Sequence, residues 1–249
     1  MNLQTTRKRG NRKLGFTLIE LMLSLLILGV LMGAVFRQMD TAQQRMSTEA
    51  IKLDDFQQAR DFVDQFFRDI NQIGDPNTRM FDLTGGFAPV SPLINDNRLA
   101  AGLSYIDANE IHFEGSVNGI GTVQSVIYKI NGSGTCGLCM QRSQVDKIVG
   151  NPVTGQAAPN WGTEVNDVIA TPIFQYYQTD GTLVATLPAD LNGNPNLIAN
   201  IKTIKISLVI RNNAVIDIKT GQPIETNFEG EVSLNNCSLA ANGQPMSCN

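Results

Sequence analysis

One acidic residue stands inside an otherwise apolar stretch near the start of this chain. From Phe16 to Phe36 the sequence reads FTLIELMLSLLILGVLMGAVF, and Glu20 is its single charge. A carboxylate within a membrane span costs about 2.5–3.5 kcal/mol on insertion scales, so such a residue is read first as functional. Its chemistry would be ion pairing with a cation that shares the low-dielectric environment, because pairing removes much of the cost of burying either charge. The other reactive material is sparse. Four cysteines, Cys136, Cys139, Cys237 and Cys248, lie outside the apolar stretch, and in an exported chain an even count reads as two disulfides. Their short spacings favour the pairs Cys136 with Cys139 and Cys237 with Cys248. The single histidine, His112, sits between Ile111 and Phe113 as a strand-face residue, which leaves hydrolytic catalysis little to work with. Cys136-Gly-Leu-Cys139 has half the spacing of a metal site but no second well-spaced pair. Asp190-Leu-Asn192-Gly-Asn194-Pro-Asn196 alternates oxygen side chains as a calcium loop does, yet Pro195 and Ile201 stand where an EF-hand requires glycine and glutamate. No catalytic, metal or cofactor-binding residue is therefore expected, and the chain does not read as an enzyme.

The element that must position Glu20 is a helix of twenty-one residues, long enough to cross the hydrocarbon of a bilayer. Five cations precede it, Arg7, Lys8, Arg9, Arg12 and Lys13, with no acid among the first fifteen residues. Lys and Arg are retained on the cytoplasmic side, so the remainder of the chain is expected outside, as a single-pass protein. No small-residue cleavage site follows the apolar run, unlike an ordinary secretory signal. Without the leader cations, 14 Lys and Arg stand against 23 Asp and Glu, a net charge of −9. Such a body is a poor match for nucleic acid phosphates, and no nucleic acid partner is expected. Gly29 and Gly33 have the GxxxG spacing that lets helices approach closely, a weak signal alone.

The helical pattern continues without a breaker to Gly74-Asp75-Pro76. Phe56, Ala59, Phe62, Val63, Phe66, Phe67, Ile70 and Ile73 recur at three-to-four spacing, opposite Asp54, Asp55, Arg60, Asp61, Asp64 and Arg68. One long helix is expected, its apolar half (16–36) an anchor and its amphipathic half (37–74) lying against a sheet. Beyond Pro76 the composition shifts to Gly, Asn, Thr and Pro with short β-like runs. Strands are expected at Glu110–Glu114, Val123–Ile130, Ile173–Tyr177, Ile201–Ile210 and Glu229–Leu234, and a hairpin turn at Asp180-Gly181. Residues 74–100 and 131–172 show weak periodicity and read as loops with a short helix. The expected fold class is α+β, a long N-terminal helix packed on an antiparallel β head (75–249) that forms one main globular domain.

Residues Lys13 to Glu20, KLGFTLIE, resemble the processing motif of type IV prepilins: a basic leader ending in glycine, then an aromatic residue, with glutamate fifth after the cut. The resemblance implies that a prepilin peptidase removes residues 1–15 by cutting between Gly15 and Phe16. It also implies that the new Phe16 amine is methylated, and that Glu20 meets the terminal amine of a neighbouring subunit during assembly. Pieces of the remainder, from QARDFVDQFFRDINQIGDP through NEIHFEG, VIYKI, IFQYYQTDGT and IKTIKISLVI to EGEVSLNN, are similar to PilW-type minor pilins and the related J-type minor pseudopilins of type II secretion. They imply a low-copy subunit that initiates or caps a filament, with other pilin or pseudopilin subunits as partners, moving from the inner membrane to a pilus at the cell surface. Two rival readings stand beside it: a piston component of a secretion pseudopilus, and an adhesive tip module using loops 76–100 and 131–172.

Overall fold

The computed structural model describes residues 17–77, 88, 90–132, 137–169, 172–217, 220–235, 238–239 and 245–247. Its first element, α1, is a helix of 54 residues, Leu18–Asn71. Leu, Gln, Met, Arg and Ala, all good helix formers, recur along it, and the hydroxyls of Ser24, Thr41 and Thr48 donate back to carbonyls three or four residues earlier, so none breaks the helix. The chain divides into two compact units, residues 1–49 and 50–249, described separately below.

In the first unit the apolar side chains from Leu18 to Phe36 are exposed on every side of α1. This segment meets the length and composition needed to cross a membrane. A helix that is apolar all round cannot be left in water at no cost; at roughly 25 cal/mol per Å² it demands lipid or other apolar helices.

In the second unit, helix residues Ala50–Asn71 lie against two antiparallel sheets. The larger contains β1 (Leu103–Ile106), β2 (Glu110–Gly115), β3 (Gln124–Asn131), β4 (Cys139–Asp146), β5 (Trp161–Val165) and β7 (Ala189–Asp190), in the order β5-β4-β3-β2-β1-β7. The smaller contains β6 (Phe174–Gln178), β8 (Ile201–Ile216) and β9 (Pro223–Ser233), in the order β6-β8-β9. A short helix α2 (Pro195–Ala199) precedes β8, and β10 (Ser238–Leu239) pairs with β11 (Pro245–Ser247).

The amphipathic stripe read from the sequence is the face that meets both sheets. Phe66 packs edge-on against Tyr128 of β3 at 5.2 Å between ring centroids and stacks on Phe174 of β6 at 5.5 Å. One buried ring thereby joins the helix to each sheet, and burying a Phe is worth about 1.5–3 kcal/mol. Phe62 also meets Tyr128, and Phe56 meets Phe228 of β9. Two glycines allow the helix to come close. A Cβ on Gly230 would meet the Phe67 ring at 2.5 Å, and one on Gly115 would collide with the Gln72 carbonyl. The helix stops where Gly74 takes φ +75° and donates its N–H to the Glu114 carbonyl.

The α+β class expected from the sequence is the one observed, and all five expected strands are present. Their bounds differ most at β8, which runs on to Ile216, and at β9, which begins at Pro223. The expectation that residues 131–172 are loops is corrected. They contain β4 and β5, whose polar residues hid the strand alternation. β1 also lies in a stretch not assigned to a strand. The Asp180-Gly181 hairpin is observed: Gly181 has φ +82°, its N–H donates to Gln178, and Tyr177 bridges Leu183.

Candidate assembly site

Glu20 stands in the first turn of α1, three residues after Thr17. The Thr17 carbonyl accepts the N–H groups of Glu20 (3.1 Å) and Leu21 (3.2 Å), which opens the helix. In return, Glu20 Oε2 lies 3.5 Å from both the Thr17 backbone N–H and the Thr17 hydroxyl. The spacing is that of a capping box, in which the carboxylate at the third helical position reaches back to the capping residue. Thr17 was not singled out in the sequence, although its three-residue separation from Glu20 is the signal that marks such a box. A carboxylate here also faces the positive end of the helix dipole, worth about 0.3–1 kcal/mol at an exposed end.

Those contacts are long and leave the carboxylate accessible. Its surroundings are apolar: Leu18, Ile19, Leu21, Met22 and Leu23 are all exposed. Chemically the arrangement offers one acceptor for a cation, held in the first turn of α1 and embedded in surface that must itself be covered. Gly15 and Phe16, the expected processing pair, lie outside the described residues. At Gly29 and Gly33 a Cβ would meet nothing within 4 Å, so neither glycine is required by contacts within the chain.

The remaining singled-out residues lie far along the chain. Cys139 is the first residue of β4 and pairs with Asn131 across the mouth of the β3–β4 hairpin. It is buried and disulfide-bonded. Its partner is among Cys136, Cys237 and Cys248, which lie outside the described residues. His112 is on β2, with Nε2 2.7 Å from Glu110 Oε1 on the same strand face. Asp190 accepts the Gly193 N–H in a tight turn. Among the described residues, no three His, Cys, Asp or Glu side chains are grouped to hold a metal ion.

Two charged constellations in the body went unread in the sequence. Asp69 of α1 accepts hydrogen bonds from the Tyr128 hydroxyl (2.8 Å) and the Arg142 guanidinium (2.6 Å). Burial, with the Asp69 carboxylate beside it, pushes the Tyr128 hydroxyl well above its ordinary range. Lys147 and Glu114 form a fully buried pair at 2.6 Å, and the Lys147 ammonium also donates to the carbonyls of Ile94 and Leu99. Both constellations fasten elements of the body together.

Residues 10–36 match the prokaryotic N-terminal methylation motif, the signal of type IV prepilin-like proteins. No curated protein and no solved structure matches the chain. The motif implies processing by a prepilin peptidase and assembly with other pilins, and it supports membrane anchoring through α1. A methylation motif, an apolar first helix able to cross a membrane, and a helix-on-sheet α+β body together support a type IV prepilin-like protein.

Proposed function

We propose that the chain is a minor pilin, cut between Gly15 and Phe16, methylated on the Phe16 amine, and built at low copy into a type IV pilus whose assembly it helps to initiate. Before assembly the apolar half of α1 is anchored in the inner membrane with the body in the periplasm. During assembly lipid is exchanged for the helices of neighbouring subunits.

The observation that carries this reading is Glu20: one carboxylate on the exposed apolar surface of the first turns, held among the described residues by 3.5 Å contacts to Thr17. Extracting such a helix from the bilayer into a bundle is favoured when the carboxylate finds a cation there, and the Phe16 amine of a neighbour supplies one. The test is filament incorporation of Glu20→Ala against Glu20→Asp. The alanine variant is expected to be cleaved and inserted normally but depleted from sheared filaments, with aspartate partly restoring it. Alanine protein in filaments at the unmodified level would contradict the assignment.

A further inference from the structure

The outer face of the six-stranded sheet, turned away from α1, holds a cross-strand row that the assembly reading does not use. Pairing sets Tyr105 opposite His112, His112 opposite Ile127, Ile127 opposite Ser143 and Ser143 opposite Trp161. The row crosses five strands, so its end rings stand about 19 Å apart at the usual strand spacing. Strand alternation fixes the face. Ile111, Phe113 and Tyr128 are buried on the helix side, and Glu164 lines a hollow with helix residues Gln65 and Arg68, so Trp161 and Thr163 point the other way.

The row is built as a flat platform. Ser143 between Ile127 and Trp161 is small and buried, its hydroxyl accepting the Asn160 N–H, and Trp161 is 39% exposed. The Tyr105 ring lies against the His112 ring at 4.7 Å between centroids. The adjacent row on the same face sets Glu110, Lys129, Gln141 and Thr163 side by side. Its charges are internally matched, because Glu110 pairs with His112 at 2.7 Å and with Lys129 at 2.9 Å. Apart from Asp190 of β7, which stands opposite Tyr105 and accepts the Gly193 N–H, the hydrogen-bonding groups left over are neutral. Among the described residues, the Tyr105 hydroxyl, the Trp161 indole N–H, the Gln141 side-chain N–H₂ and the Thr163 hydroxyl donate to no partner.

Aromatic faces combined with neutral donors and acceptors suit a ligand that is apolar on its faces and hydroxylated round its edges. The platform is too flat to enclose a compact small molecule. Single-stranded nucleic acid also stacks on aromatic platforms, but it requires a cationic groove beside them, and this face supplies one lysine already paired within a body of net charge −9. A neutral chain of sugar rings meets each requirement: C–H faces for the rings of Tyr105 and Trp161, and hydroxyls for Gln141 and Thr163.

We propose that this face binds a neutral linear glycan, with Tyr105 and Trp161 as stacking contacts and Gln141 and Thr163 as hydrogen-bonding contacts. The assignment holds whether or not the chain enters a filament.

Trp161 is the only tryptophan in the chain, so its fluorescence reports directly on the site. The full chain, kept in a detergent without a sugar headgroup, is titrated with cellohexaose, chitohexaose and xylohexaose to millimolar concentration, and in parallel with anionic polygalacturonate. A saturable emission change with at least one neutral oligosaccharide is expected, weakened at least about tenfold in Tyr105→Ala, the loss of one aromatic contact. Gln141→Ala, a surface change that should leave folding intact by circular dichroism, is expected to weaken the same binding several-fold. No saturable change with any of the three, affinity untouched by both variants, or tighter binding of the polyanion would overturn the proposal. So would an emission change that follows protein concentration without sugar, since that would make the face a protein contact.

Discussion

The Asp69 carboxylate of the helix lies 2.6 Å from the Arg142 guanidinium of β4, and both side chains are largely removed from water. The Tyr128 hydroxyl donates to the same carboxylate oxygen, and the Arg142 guanidinium lies over the Tyr128 ring. Three residues, distant in sequence, fix the helix against the sheet at one rotation. Breaking a buried pair by removing one partner costs about 3–5 kcal/mol, because the survivor keeps its desolvation penalty. Arg142→Met is therefore expected to lower the urea midpoint of the detergent-solubilised chain sharply, and Asp69→Asn/Arg142→Met to recover part of the loss. A single variant as stable as the parent would show that the helix is held by its phenylalanines alone.

The buried pair Lys147 and Glu114 gives a second double-variant prediction. Lys147 closes residues 94–101 over the sheet, while Glu114 Oε2 also accepts the Ala101 N–H. Burial pushes the Glu114 carboxyl above its ordinary range, against the pull of Lys147. Lys147→Met alone is expected to cost about 3–5 kcal/mol, and Glu114→Gln/Lys147→Met distinctly less than the sum of the two single changes. Additive losses in denaturant melts would show that the two side chains act independently.

Asp96 sets an acid limit on the loop preceding β1. Hydrogen bonds from the Arg98 side chain, reinforced by the backbone N–H groups of Arg98 and Val90, hold its carboxyl down at about 2. A carboxyl whose folded value is depressed contributes stability above its unfolded value of 3.8. That contribution is lost as pH falls through the folded value. Stability should thus drop between about pH 4 and pH 2, and Asp96→Asn should flatten that part of the profile. Equal acid sensitivity in the variant and the parent would refute the assignment.

The long helix and most of the smaller sheet were legible because their apolar residues keep a clean period. Phe62, Phe66 and Ile70 share one helix face, and Ile204, Ile206, Leu208 and Ile210 share one strand face. β4 was not legible for a physical reason. Its inward residue Arg142 is satisfied by Asp69, 73 residues away, so a polar side chain occupies a core-facing position and the alternation disappears. β5 ends the sheet at an edge, with most of its residues exposed and only Val165 buried. Glu20 was legible as a lone charge in an apolar run. The cap it shares with Thr17 was not, because the spacing means little until a helix is known to begin there.

Two glycines should prove intolerant for steric reasons alone. Gly230→Ala drives a methyl group into the Phe67 ring, and Gly115→Ala drives one into the Gln72 backbone where the helix ends. Overpacking of this kind costs about 1–3 kcal/mol, with the larger loss expected at Gly115, where the obstacle is backbone and cannot rotate away. Gly29→Ala, with nothing near its Cβ within the chain, should cost no stability in the melt.

The most direct test of the central claim is the intact mass and N-terminal sequence of the protein recovered from sheared surface filaments. A chain beginning at methylated Phe16 in that fraction is the predicted result, joining processing, membrane exit and filament membership in one observation. A processed chain confined to the inner membrane and periplasm would replace the pilus with a secretion pseudopilus, and an uncut chain beginning at Met1 would contradict the account.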